Sequence, residues 1–210
     1  DSITFPIRKV FQKYNDFYIR KAEVQEINVS ENMLITSIGN LSYDYLVLAH
    51  GATNSFFGSD KMQKYSKGMK SIAEALDLRN TILMNFENAV ATMDKGEQDR
   101  LLNIVIIGGG PSGVEIAGAL AEMNKFVIHK DYPELKDKMV NIHLLEGNDR
   151  LLNTMSPESS EKARQFLEKF GVRVLTGTFA VDCDNESVTT STGEKIKTGL
   201  ILWTAGITAN

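Results

Sequence analysis

The sequence predicts an α/β fold: a doubly wound parallel sheet completed by a β-meander. Two apolar runs, Ile104-Val105-Ile106-Ile107 and Leu200-Ile201-Leu202-Trp203, read as parallel strands buried on both faces, where alternation with polar residues is not needed. Strand-type and helix-type segments alternate as β-α-β-α-β between positions 102 and 175, the order that lays parallel strands side by side. The chain also repeats itself. Ala22–Asn54 and Gly177–Asn210 share one pattern: a β-type run, a polar turn, a second strand, a Gly-containing turn and an apolar run that leads into glycine. The polar turns are Ser30-Glu31-Asn32 and Asp184-Asn185-Glu186. The apolar runs are Tyr45-Leu46-Val47-Leu48-Ala49 before Gly51, and Leu200 to Trp203 before Gly206. Each copy is expected to be a small antiparallel meander feeding a central parallel strand.

Between the copies the elements follow in order. Ser71 with Glu74 has capping-box spacing and opens a helix, with Ile72, Leu76, Leu83, Phe86, Val90 and Met93 as its apolar stripe and with Gly96 and charged residues ending it. A strand over 102–107 leads at once into Gly108-Gly109-Gly110-Pro111-Ser112-Gly113, and a helix carrying Val114, Ile116, Ala117, Leu120 and Ala121 follows. Residues 124–140 read as a long polar connection. The strand Ile142-His143-Leu144-Leu145 ends at Glu146. Ser156 as N-cap, Pro157 at the first helical position, Glu158 in the first turn and Gly171 past the end bound the next helix. Val172 to Leu175 is the third strand.

Composition narrows the function. At 210 residues with 42% hydrophobic and 24% charged residues, the chain has material for a real core. A net charge of -4 argues against nucleic acid as a partner. No apolar run reaches the roughly 18 residues that span a bilayer. The N-terminus has neither the pattern of a signal peptide nor an initiator Met, which suggests a processed or partial chain. Cys183 alone forms no internal disulfide, and its expected role is structural; a reducing compartment fits. His50, His129 and His143 lack metal-ligand spacing, so no metal site is expected.

The glycine segment carries the chemistry. Gly108, Gly110 and Gly113 have the G-x-G-x-x-G spacing, and here the motif stands between a strand and a helix, the context that gives it meaning. Gly108 allows the tight turn, Gly110 lets a pyrophosphate approach the backbone, and Gly113 lets helix and strand pack closely. Gly109, Pro111 and Ser112 complete the phosphate turn, where free N–H groups at the helix start attract an anion. Glu146, at the end of the next strand, can accept hydrogen bonds from both hydroxyls of an adenosine ribose and repels a 2′-phosphate, which favours NADH over NADPH. Arg150 lies close enough to serve a 2′-phosphate instead. Glu115, just inside the helix, either complements the helix N-terminus or makes a polar contact near the reacting ring.

Five segments resemble type II NADH dehydrogenase, the single-subunit NADH:quinone oxidoreductase of the two-dinucleotide-binding flavoprotein superfamily. They are TFPIRKVFQKY, YDYLVLAHGATNSFFG, IVIIGGGPSGVEIAGALAEM, HLLEGNDRLLNTMSPESSEKA and LILWTAGITAN. GGGPSGVEIAG is common to the superfamily; YDYLVLAHGATNSFFG and the DYPEL segment before LLEG are more specific to the quinone-reducing branch. The resemblance implies a Rossmann-like NAD-binding domain over 70–206, a partial FAD-domain segment over 1–69, and the start of a return to the FAD domain over 207–210. It implies that Gly108 to Gly113 and Glu146 hold NADH, that Ala205 and Gly206 pass under the nicotinamide, and that Glu115 stands as a catalytic acid at the nicotinamide–flavin junction. It further implies that Val24, Ala49 and Gly51 contact FAD, with His50 replacing a threonine usual there. The implied chemistry is hydride transfer from NADH to flavin and electron transfer to a quinone. On this reading the chain is an internal fragment that binds NADH without turnover and holds FAD weakly. The whole enzyme would sit on the cytoplasmic side of a membrane, attached through a C-terminal part absent here, and a homodimer is open. Other readings are a soluble flavoprotein reductase serving a ferredoxin-like protein, a disulfide reductase, and a non-catalytic NADH sensor.

Overall fold

The computed structural model describes residues 5–135 and 138–209. Asn210 in the second repeat copy, and positions 136–137 in the 124–140 connection, lie outside the described residues. The chain forms two compact units that divide between Ala49 and His50.

The first unit holds a short helix α1 (Ile7–Phe11) and the strands β1 (Val24–Asn28), β2 (Met33–Thr36) and β3 (Gly39–Ser42). The three strands make an antiparallel sheet in sequence order. Gly39 at φ +112 makes the β2–β3 turn, a conformation that a side chain would strain. The apolar run that follows is not a strand, contrary to expectation. Tyr45 and Val47 are 94% and 85% exposed. A parallel strand needs neighbours to bond its backbone and layers to cover both faces, and no described element pairs with this run.

The second unit begins with β4 (Ala52–Asn54), α2 (Asp60–Tyr65), α3 (Ile72–Ala91) and α4 (Lys95–Leu101). Next come β5 (Asn103–Ile107) and α5 (Pro111–Met123), then a π turn (Asn124–Ile128), a short α6 (His129–Asp131) and a 3-10 turn (Pro133–Leu135). It continues with β6 (Asn141–Leu145), α7 (Pro157–Lys169), β7 (Val172–Leu175), β8 (Ala180–Cys183), β9 (Ser187–Thr190), β10 (Lys195–Lys197), β11 (Leu200–Trp203) and β12 (Ile207–Ala209). Residues 50–69 thus pack with the segment that follows them. The parallel sheet runs β11-β5-β6-β7, with Leu202 opposite Ile106 and Ile106 opposite Leu144. Ile104, Ile106, Leu144 and Leu202 pack with Leu78, Phe86, Ile116, Leu120 and Leu167 of the helices. Their neighbours Val105, Ile107, Leu145, Ile201 and Trp203 pack with Met62 and with Cys183, Val188 and Ile196 of the meander. Period two sends alternate residues to opposite faces. The α/β fold, parallel sheet and meander are therefore as expected, with α3, α5 and α7 on one face and the meander with α2 on the other.

Three local expectations are corrected. The Ser71–Glu74 capping box is formed, but α3 buries Leu78, Ile82, Phe86 and Ala89, whereas Ile72, Leu76, Leu83 and Met93 are exposed. The helix is apolar on more than one side, and the sheet selects which side is covered. Gly96 does not end α3. It lies within α4, whose N-cap is Asp94. The 124–140 connection is not simply polar: it is largely helical and buries Ile128, Leu135 and Val140 in the core.

Candidate functional site

The G-x-G-x-x-G segment makes the turn from β5 to α5 at the carboxyl edge of the parallel sheet, where ligands of open α/β sheets bind. Each motif glycine meets a different demand. Gly108 has φ +115, and a Cβ there would sit 2.7 Å from the backbone of Ala205. At Gly113 a Cβ would stand 1.8 Å from the Gly108 carbonyl, so only hydrogen fits between helix and turn. Gly110, the N-cap of α5, has nothing within 4 Å of its would-be Cβ. Packing needs glycine at 108 and 113; at 110 the missing side chain leaves open space. Pro111 takes the first helical position, where a missing N–H costs nothing.

Glu146 is held by three donors. The Gly109 N–H gives 2.6 Å to Oε2, and the Asn148 N–H and Nδ2 give 2.8 and 2.5 Å to Oε1. The carboxylate is thus preorganised beside the turn, with one lone-pair site, on Oε2, left for a ligand. Arg150 turns away to other work: its guanidinium donates to the carbonyls of Asn153 and Met155 and braces their loop.

Gly108, Gly110, Glu146 and Asn148 border a cavity of about 640 Å³. Its floor is Ile107, Gly108, Gly110 and Leu145; Glu146 and Asn148 lie at one side, Phe179 to Val181 of the meander at another, and Thr204 and Ala205 beyond the end of β11. Phe56, Phe57, Ser59 and Met62 close it from the segment before α3. That segment is stitched to β11: the Trp203 indole N–H donates to the Ser55 carbonyl at 2.8 Å, and Lys67 exchanges backbone bonds with Ile201 and Trp203. Thr204 ties the glycine turn to β11, since its Oγ1 donates to the carbonyls of Ile107 and Gly108 at 3.0 and 2.9 Å.

Of the expected site residues, Gly108, Gly110, Glu146 and Ala205 line the cavity. Gly109 serves through its N–H. Ser112 and Gly206 border a smaller hollow of about 130 Å³ with Thr204 and Ile207. Glu115 is exposed on α5, outside both hollows, and makes no hydrogen bond or ion pair among the described residues. Val24 and Ala49 are exposed in the first unit; Gly51, exposed at φ +78, opens the second. Thr204, Asn148 and the aromatic pair Phe56-Phe57 had not stood out in the sequence. The nearest signals were the place of Thr204 just before Ala205-Gly206 and of Asn148 just after Glu146-Gly147.

Two further titratable groups, Cys183 and His143, sit within the scaffold. Burial pushes the Cys183 thiol up to about 11, as suits a core residue. Burial, then the Arg173 charge, lowers the pKa of His143 on β6. No group of metal-ligating residues occurs among the described residues, and no described helix is long and apolar enough to cross a membrane.

Residues 6–210 match the family model described as pyridine nucleotide-disulphide oxidoreductase. The type II NADH:quinone oxidoreductase Ndh of Mycobacterium tuberculosis is 29% identical over 98% of this chain and 46% of its own length. The external alternative NAD(P)H-ubiquinone oxidoreductase B3 of Arabidopsis thaliana mitochondria is 30% identical over 98% of this chain and 38% of its own length. Among solved structures, NDH2 of Plasmodium falciparum in complex with NADH superposes with a TM-score of 0.81 at 24% identity, covering 91% of this chain and 41% of that one. A ferredoxin reductase of Rhodopseudomonas palustris superposes with 0.73 at 20% identity, covering 98% and 45%. The chain therefore spans less than half the length of these relatives.

Proposed function

The chain belongs to the pyridine nucleotide-disulphide oxidoreductase family, and from that premise we propose that it carries the NADH-binding part of a flavin-dependent NADH:quinone oxidoreductase. One observation carries the reading: the open Gly110 turn and the triply held Glu146 carboxylate border one cavity. The α5 N-terminus receives the pyrophosphate, with backbone N–H groups and the helix dipole as its partners. Glu146 takes an adenosine ribose hydroxyl on the open site of Oε2. A 2′-phosphate would be pressed against this carboxylate, while Arg150 is already engaged with loop carbonyls. The residues at the end of β11 receive the other half of the dinucleotide.

A bound flavin supplies two-electron acceptance, and a membrane quinone is the proposed final acceptor in the whole protein. This chain's residues fix the distance and orientation of the hydride donor and keep water from it. They do not by themselves form a flavin cradle: Val24, Ala49 and Gly51 are exposed, and none lines the cavity. The repeat supports Val24 as a dinucleotide contact all the same. It occupies in the first meander the place of Ala180 in the second: each opens its sheet opposite a threonine, with a β-bulge directly after it, and Ala180 lines the cavity. The proposal keeps residues 1–69 as the flavin-domain segment, of which Phe56, Phe57, Ser59 and Met62 also border the nucleotide cavity, 70–206 as the nicotinamide-nucleotide domain and 207–210 as the return. It keeps Glu115 as the acid near the reacting ring. Peripheral attachment on the cytoplasmic face and any homodimer belong to the whole protein.

The test is calorimetric titration of the chain with NADH and with NADPH. NADH should bind, with NADPH at least tenfold weaker, and Glu146→Gln should narrow that gap. Preferential NADPH binding would overturn the role of Glu146 and favour a soluble reductase.

A further inference from the structure

We propose that Phe57 is the aromatic platform on which the nicotinamide ring rests. The proposal builds on the dinucleotide reading above. With the pyrophosphate at the turn after β5 and the adenosine ribose at the end of β6, the sheet order β11-β5-β6-β7 sends the other half of the ligand over the end of β11. Trp203, Thr204 and Ala205 lie there, and Phe57 lines the same cavity. Its ring stands so near the chain beyond them that a Cβ on Gly206 would meet Phe57 Cζ at 2.8 Å.

The conformation of Phe57 is not one that folding favours. Its φ is +51, followed by Gly58 at +79. Two successive left-handed residues make a tight turn best filled by glycine or asparagine at the first place, and a bulky aromatic there is an outlier. Nor is the ring spent on the core: Phe57 is 73% exposed, whereas Phe86 is 2% exposed. The ring is nevertheless held in place. The Ser55 N–H donates to the Gly206 carbonyl and the Ser59 N–H to the Phe56 carbonyl, so the turn is fixed on both sides. Trp203 stands against it with ring centroids 5.9 Å apart, tilted by 58°. A strained backbone that presents a fixed, largely uncovered ring to a cavity is the arrangement expected of a surface for a flat partner. In this cavity the flat partner at that end is the pyridine ring of NADH.

ADP-ribose lacks that ring and separates a ligand contact from a structural effect. The chain and its Phe57→Gly and Phe57→Tyr variants are titrated with NADH and with ADP-ribose, and their melting temperatures are measured. Glycine suits the backbone, so Phe57→Gly should melt no lower than the parent. It should bind NADH about tenfold more weakly and ADP-ribose within twofold of the parent. Phe57→Tyr should bind both ligands as the parent does. Equal losses for both ligands in Phe57→Gly, or no loss for either, would overturn the platform. If the parent binds neither ligand, the dinucleotide reading fails and the platform falls with it.

Discussion

The two copies of the repeat fold alike through their meanders and part company at the apolar run that follows. In each, the opening strand is bulged at the same place, after Val24 in one and after Ala180 in the other. In each, a threonine ends the second strand and turns its hydroxyl onto the hairpin: Thr36 Oγ1 donates to the Gly39 carbonyl, and Thr190 Oγ1 to the Glu194 carbonyl. The next residue repeats too. The Ser37 N–H donates to the Glu23 carbonyl while the Glu23 N–H donates to Ser37 Oγ, and Ser191 and Phe179 do the same. Beyond this point Leu200 to Trp203 form a strand buried throughout, while residues 45–49 form no strand and all but the half-buried Leu46 are exposed. Local bonds suffice for a meander. A central parallel strand exists only where a sheet receives it.

The largest expected effect tests that difference directly. Leu202→Ala should destabilise the second unit by about 3 kcal/mol, the range for emptying a leucine site in a packed core. Leu48→Ala should change stability by less than about 0.5 kcal/mol, as at an exposed site. Urea denaturation of both variants decides it; comparable losses would mean that the first run is covered in solution after all.

A smaller effect tests the likeness of the meanders. Thr36→Val and Thr190→Val each leave a turn without its hydroxyl partner, and each should cost about 1 kcal/mol locally. Amide hydrogen exchange should show faster opening confined to the meander that carries the change. If Thr36→Val alone is silent, the two hairpins are not held in the same way.

The smallest effect concerns a bond without a counterpart. Arg173 on β7 grips Glu194 beside β10 through two hydrogen bonds of 2.6 and 3.0 Å, whereas the first unit has no ion pair among the described residues. This grip holds the Glu194 carboxyl below the ordinary range. A lowered folded pKa contributes stability above the unfolded value and loses it as pH falls through the folded one. The melting temperature of Glu194→Gln should therefore lie slightly below that of the parent at neutral pH, and the gap should close in acid. The pair is partly exposed, so the effect is small and should weaken in salt.

The sequence by itself determined whatever depends on near neighbours along the chain. The Ser71–Glu74 capping box, the Ser156-Pro157 start, the glycine turn and the meander strands are all local, because caps and turns are set by a few residues' own hydrogen bonds and allowed dihedrals. Glu146 was legible as well, since a strand-end acid after a glycine turn is a pattern of spacing. The tertiary structure decided what depends on distant surfaces. It chose the Leu78–Ile82–Phe86 side of α3 over the side that carries Ile72, Leu76 and Leu83, buried Leu200–Trp203 and left 45–49 largely exposed. It brought Thr204 and Phe57 to the glycine turn, and it turned the Arg150 guanidinium toward loop carbonyls. Burial and long-range contact depend on which surfaces meet, and that is fixed only when the whole sheet has assembled.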